Sequence, residues 1–500
     1  MLICLLLLLF STSYCGRIIF NGMHASSSHI GSMLPVASRM ERDGHQIHFL
    51  ESNSKNQSYK YPGKITNTYC KLPESIVLQK KILPAMWTFS YTSWDFPKVW
   101  LSGDQALVDM YNMHNEKLMD VFNTDWDLAI GDEIFAVASH ALALKTREQG
   151  NSFIMMATCV QMNPMRYYLS LGGNNLHRPS MFATVNEHYD ITNFYSRLVT
   201  LYDAAIIYPG IWYYTSYTAT KGLKLLGYND FRLSSLGRET SYYFVDELNP
   251  LVWPVSTGTE VLHVGYYCPE YKKQPLSEDY RDFLEDPTSE GTILIAFGTN
   301  VLWEHATKNI TDAFVGAINR LKDYRFVFAF NGDMKQLDGV GDHCRVTNWA
   351  PQKEVLNHHK TKVFVSHGGL KSLKDTICGT VPAVVMPLFA EQSHNAELAR
   401  QMGIGEIISK YNIDEYRLTA AIMRLAGDER YKENVVRAKA FMLDRPTPSL
   451  DLVSFATRRS LKYKNRFPTF KRKGMYLYMH EHYFLDLGLI LIALVVLISY

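Results

Sequence analysis

No apolar run of about 20 residues, the length that carries a helix across a bilayer, occurs in this 500-residue chain. The two apolar stretches present lie near the ends, Leu5 to Leu9 and Leu487 to Tyr500, and both are shorter. Charge of one sign is also missing: 51 Lys and Arg balance 49 Asp and Glu for a net +2, so nothing in the composition asks for nucleic acid. Cysteine is sparse and scattered. Setting aside Cys4 and Cys15 leaves Cys70, Cys159, Cys268, Cys344 and Cys378, an odd set that excludes a disulfide framework but permits one bridge in an oxidising compartment. Histidine pairs His358/His359 and His480/His482 give no recognised set of three or four ligands, so no metal is expected. Repeats and low-complexity tracts are absent. What remains is 47% hydrophobic content over a length that suits two to four globular domains.

The pattern after the first apolar stretch alternates strand and helix. Arg17 to Asn21 predicts a strand, Ser32 to Arg42 a helix ended by Gly44, and Gln46 to Leu50 a second strand. The loop before that helix carries His24 and His29. Asp127 to Asp132 (DLAIGD) predicts another strand, with Asp132 placed either to cap the following helix, Glu133 to Leu144, or to partner a base. Further on, the strand Thr292 to Phe297 ends in Gly298 and Thr299.

Val363 to Gln392 is the most informative stretch: an apolar strand, the pair Gly368 and Gly369, a short helix, and a second apolar run, Val381 to Leu388. Free N–H groups and the dipole at a helix start favour an anion, and glycines let the backbone approach it. His367 and Ser372 add side-chain donors, and Glu391 and Gln392 follow the second strand, at the end where open α/β sheets bind ligands. Trp349 offers a flat apolar face and Gln352 an amide that both donates and accepts. Taken alone, these two are equally well a core tryptophan and a surface amide.

Together, Trp349, Gln352, His367, Gly368, Gly369, Ser372, Glu391 and Gln392 resemble the donor-binding signature of the UDP-glycosyltransferases. The resemblance covers most of the chain and is strongest from Thr292 to Ile408. It implies an α/β GT-B architecture, two Rossmann-like doubly wound domains facing across a cleft, with a C-terminal transmembrane segment. It also implies an inverting transfer of a glucosyl or glucuronosyl group from a UDP-sugar to a hydroxyl of a small lipophilic acceptor, with no cofactor and no metal. His29, followed by Gly44 and His45, has the placement of the family's catalytic base, and Asp132 that of its orienting carboxylate; His24 is expected to be a loop histidine. Thr299 matches a residue near the phosphates. Trp126 stands where phenylalanine is usual, Lys371 where asparagine is usual, and Asp375 in place of a glutamate facing the ribose. Lys371 either adds a point charge beside a diphosphate, or serves a carboxylate sugar, or crowds the pocket. Lys371 and Asp375 also motivate an alternative, a catalytically impaired UDP-sugar-binding partner of active relatives.

The expected organisation is a signal peptide over 1–16, an acceptor-binding domain over 17–260, a UDP-sugar-binding domain over 261–475 and a short membrane anchor over 484–500. This places the enzyme in the endoplasmic-reticulum membrane, single-pass, with lumenal domains; sequons at Asn56 and Asn309 fit that side. Expected partners are the donor, the acceptor, the membrane and homo- or hetero-oligomers, with no nucleic acid. The aromatic stretch Ile211 to Tyr217 shapes an acceptor pocket or packs a helical subdomain.

Overall fold

Strands rich in Ile, Val and Phe, buried on both faces and joined by helical crossovers, form two wholly parallel sheets. The computed structural model describes residues 15–89, 92–172, 190, 192–269, 276–466, 472–482 and 484–499. Residues 1–14 of the expected signal peptide, 173–189 and 191 of the expected acceptor-binding domain, and residue 500 of the expected anchor lie outside the described residues.

The first sheet holds β1 (Arg17–Asn21), β2 (Gln46–Asn53), β3 (Thr66–Lys71), β4 (Leu128–Asp132), β5 (Ser152–Ala157), β6 (Tyr242–Val245) and β7 (Val261–His263), in the order β3-β2-β1-β4-β5-β6-β7. The second holds β8 (Gly291–Ala296), β9 (Tyr324–Ala329), β10 (Cys344–Thr347), β11 (Thr361–Ser366), β12 (Ala383–Val385) and β13 (Gly405–Ile407), in the order β10-β9-β8-β11-β12-β13. In each sheet the strand order reverses once, between β1 and β4 and between β8 and β11. Such switch points open a crevice beyond the strands' carboxyl ends.

The helix after β1 runs Ser27–Arg42, five residues earlier than the sequence predicts, so His29 sits in its first turn rather than in a loop. It continues through Pro35, which forgoes the bond to the Gly31 carbonyl. Packing overrides the weak local propensity: Ile30, Met33, Val36, Ala37 and Met40 form one buried stripe against Ile18, Phe20 and Phe49. Each fully buried side chain of that size contributes roughly 1.5–3 kcal/mol, which fixes the helix and with it His29.

The helix Ser449–Tyr463 returns from the second sheet to the first, where Val453, Ala456 and Leu461 join the same core and Arg39 pairs with Asp451. β7 pairs with β6 in the first sheet just beyond residue 260. Cys268 and Cys378 form a disulfide 110 residues apart, tying the interdomain linker to the end of a second-domain helix. Reducing it is expected to lower stability by roughly 2–4 kcal/mol. A melting temperature unchanged by reductant, with the thiols titrated, would argue against that contribution.

The last helix, Leu485–Ser499, has 15 residues and reaches about 22 Å, short of the roughly 30 Å hydrocarbon core. Among the described residues no helix is long and apolar enough to cross a membrane, so the span expected over 484–500 is not met by this helix. Its large apolar side chains are exposed along its whole length. Asn56 and Asn309 are both exposed.

Candidate active site

Because β1 and β4 are neighbours at the first switch point, the turn after β1 and the end of β4 meet. His29 Nδ1 lies 2.6 Å from Asp132 Oδ2 and 2.7 Å from Thr158 Oγ1. Asp132 is fully buried and also accepts from Met23 N at 3.2 Å, Ile134 N at 3.3 Å and Thr158 Oγ1 at 3.0 Å. A carboxylate offers acceptors only, so the Nδ1 proton is assigned to the bond with Asp132, leaving Nε2 as the ring's acceptor. An imidazole oriented in this way suits removal of a proton from a hydroxyl. His24 plays another part: it is in the loop but buried, accepts or donates at Ser52 Oγ over 3.0 Å, and burial holds its pKa down to about 4.

The second switch point brings Gly298 and Thr299, after β8, beside the His367-Gly368-Gly369 turn after β11. A Cβ on Gly298 would stand 2.9 Å from His367 Cε1, and one on Gly369 2.6 Å from His367 Nε2, so the imidazole fits only between two glycines. Burial pushes the His367 pKa down to about 4, and its buried Nδ1 has no hydrogen-bond partner among the described residues. The ring is therefore neutral at pH 7. Gly369 caps the ten-residue helix Leu370–Gly379, with Ser372 buried in its first turn.

Other expected donor residues divide into those presented to the cleft and those engaged elsewhere. Trp349 is 73% exposed, a free aromatic face rather than a core side chain. Gln352 Nε2 donates to Asp375 Oδ2 at 2.7 Å, joining two residues assigned to the same end of the donor. Burial pushes the Asp375 carboxyl up from its ordinary range. Glu391 is pushed up likewise by burial. Gln392 is buried, and its carbonyl oxygen accepts from Leu388 N at 2.8 Å and Phe389 N at 3.1 Å. Its side-chain acceptor thus closes its own turn, with the amide N–H groups left as the donors.

Lys371 departs furthest from expectation. Its ammonium donates to Asp246 Oδ2 at 3.0 Å and to Ser32 Oγ, both in the first domain. Lys374 donates to the other Asp246 oxygen. Burial raises the Asp246 pKa, but the two ammonium groups outweigh it and hold the carboxyl below its ordinary value. Thr158, Ser32, Asp246 and Lys374 were not singled out in the sequence; their partners lie 26 to 339 residues away, and no local signal marks them.

Glu285, His358 and His359 also cluster, at the amino-terminal end of β11 and away from the cleft. His358 bonds Glu285 at 3.0 Å, and Lys360 Nζ lies 3.3 Å from the Glu285 carbonyl oxygen, where its charge opposes a cation. The hydrogen bond between His358 and Glu285 accounts for this group.

Residues 228–479 match the family model described as UDP-glucoronosyl and UDP-glucosyl transferase. A UDP-glucuronosyltransferase of Pleuronectes platessa is 32% identical over 207 residues, 41% of this chain and 42% of that one. A UDP-glycosyltransferase of Dactylopius coccus is 26% identical over 280 residues, 54% and 51% of the two chains, so the match spans about half the length of these curated relatives. Among solved structures, a UDP-glucosyltransferase from Polygonum tinctorium superposes with a TM-score of 0.60 at 17% identity, covering 90% of this chain and all of that one. Phytolacca americana UGT2, complexed with UDP-2fluoro-glucose and pterostilbene, gives 0.58 at 15% identity over 89% and 99%. These likenesses agree with the two-sheet GT-B fold, and the chain belongs to the UDP-glucuronosyl and UDP-glucosyl transferase family.

Proposed function

We propose that the protein transfers a hexosyl group, glucosyl or glucuronosyl, from a UDP-sugar to a hydroxyl of a small lipophilic acceptor, with inversion. The observation that carries this reading is the His29–Asp132 pair at 2.6 Å, set where β1 and β4 meet at the first switch point. His29 Nε2 takes the acceptor proton as the oxygen attacks the anomeric carbon, and Asp132 stabilises the imidazolium that forms. The bond to UDP breaks in the same displacement. Backbone N–H groups at the start of Leu370–Gly379 receive the charge that develops on the diphosphate. The uracil stacks on Trp349, with Gln352 and Asp375 at the ribose and Glu391 at the sugar hydroxyls.

With Lys371 held by Asp246, the cation the sequence offered for a glucuronate carboxylate is engaged elsewhere. UDP-glucose and UDP-glucuronate are therefore offered separately in the test: acceptor-dependent UDP release from the purified chain with phenolic and steroidal acceptors. Release with one donor names the sugar. UDP binding without release would favour the non-catalytic partner reading instead. Trp349→Ala is expected to weaken UDP binding by about 1–3 kcal/mol, measured by calorimetry.

The exposed apolar helix Leu485–Ser499 supports seating at a lipid surface, and the exposed sequons support a lumenal setting in the endoplasmic reticulum. Pelleting with neutral liposomes, compared with a chain ending at residue 484, tests the first, and a mobility shift on glycosidase treatment tests the second.

A further inference from the structure

We propose that Lys371 is a positioning residue that couples the meeting of the two domains to the setting of the His29–Asp132 pair. This rests on the reading of His29 as the base. The bonds form a continuous path. Lys371 Nζ donates to Ser32 Oγ, Ser32 Oγ donates to the Thr158 carbonyl at 2.7 Å, and Thr158 Oγ1 touches His29 Nδ1 at 2.7 Å and donates to Asp132 Oδ1 at 3.0 Å. Ser32 lies three residues after His29 on one helix, hence on the same face. The Lys371 stem runs along that helix, with its Cε 3.9 Å from where a Cβ on Gly31 would stand.

Charge fixes the lysine there. The Asp246 carboxylate is 1% exposed and faces Lys371 and Lys374 together; an unpaired carboxylate at such depth is strongly disfavoured. Lys374 is itself buried, with its ammonium 4.9 Å from the Tyr267 ring centre, so it cannot replace Lys371 at Ser32 without leaving its own site. The lysine that stands in place of the family's asparagine thus points out of the second domain and into the helix that carries the base. When the domains separate, Ser32 loses a donor and the Thr158 backbone loses its tie to the opposite domain. Misplacement of the base follows.

The test uses the full chain with Lys371→Met and Ser32→Ala, because Asp246→Asn disturbs a buried triad and can unfold the protein. Turnover is expected to fall by roughly 10- to 100-fold in both variants, while UDP affinity by calorimetry stays within about threefold. Hydrogen exchange over Ser27–Arg42 and around Thr158 is expected to quicken in Lys371→Met. A UDP affinity weakened by about tenfold or more with turnover intact would make Lys371 a phosphate ligand and overturn the proposal. Unchanged turnover in a wild type that does turn over would overturn it equally. Should the wild type transfer no sugar, the proposed function fails by itself, and hydrogen exchange, which needs no turnover, decides the coupling: faster exchange upholds it and unchanged exchange overturns it.

Discussion

Replacing His29 by alanine is expected to lower acceptor-dependent UDP release by roughly 10²- to 10⁴-fold, the usual contribution of a positioned base. UDP binding should be nearly untouched, because the residues assigned to the nucleotide follow strands of the other sheet. Asp132→Asn should also lose most activity. Its amide can present N–H to Nδ1, which favours the tautomer with the proton on Nε2, the nitrogen that has to accept. Thr158 Oγ1 donates to Asp132 and lies 2.7 Å from Nδ1, where it accepts from the ring, but a neutral hydroxyl does not stabilise the imidazolium as the carboxylate does. More than about a tenth of wild-type release in the alanine variant would remove His29 from the role of base.

Gly368→Ala is expected to weaken UDP binding by at least tenfold, measured by calorimetry. Gly368 has φ +82°, where an L side chain is strained by roughly 1–3 kcal/mol. Its new Cβ would stand 2.6 Å from Val385 Cγ1 and 3.2 Å from the Gln392 carbonyl oxygen. Backbone and a buried valine cannot both yield, so the turn must move and carry the N–H groups at the helix start with it. A loss of at least tenfold in affinity follows from about 1.4 kcal/mol of that strain. Gly427→Ala is the control: nothing lies within 4 Å of its Cβ, at the end of the helix Glu415–Gly427, and both stability and binding should be retained. Wild-type affinity in Gly368→Ala would show that the turn does not hold the diphosphate.

The strand ends were legible because runs such as Ile18-Ile19-Phe20 and Val363-Phe364-Val365 bury both faces and stop at glycine or polar residues. The sequence places β1 at its observed bounds and brings the His367 turn to the carboxyl end of its sheet. The start of the His29 helix was not legible: Ser26, Ser27, Ser28 and Gly31 are poor helix formers, and only burial of Ile30 and Met33 against β1 decides the matter. The fate of Lys371 was hidden for a different reason. Its partner Asp246 lies 125 residues away, at the end of β6, and a charge pair at that separation leaves no periodicity to detect. The Cys268–Cys378 bridge escaped in the same way, as did the return of Ser449–Tyr463, whose amphipathic pattern says that one face is covered but not by which domain.

That return has a mechanical consequence. The polypeptide passes between the domains once after β7 and again before Ser449, so two strands of chain bridge the cleft rather than one. A single tether lets a body swivel about any axis. Two attachment points leave mainly rotation about the line that joins them. Any opening of the cleft is thereby confined to the swing of a door on two pins, and closure returns the second-domain turns to the same place opposite the His29 helix.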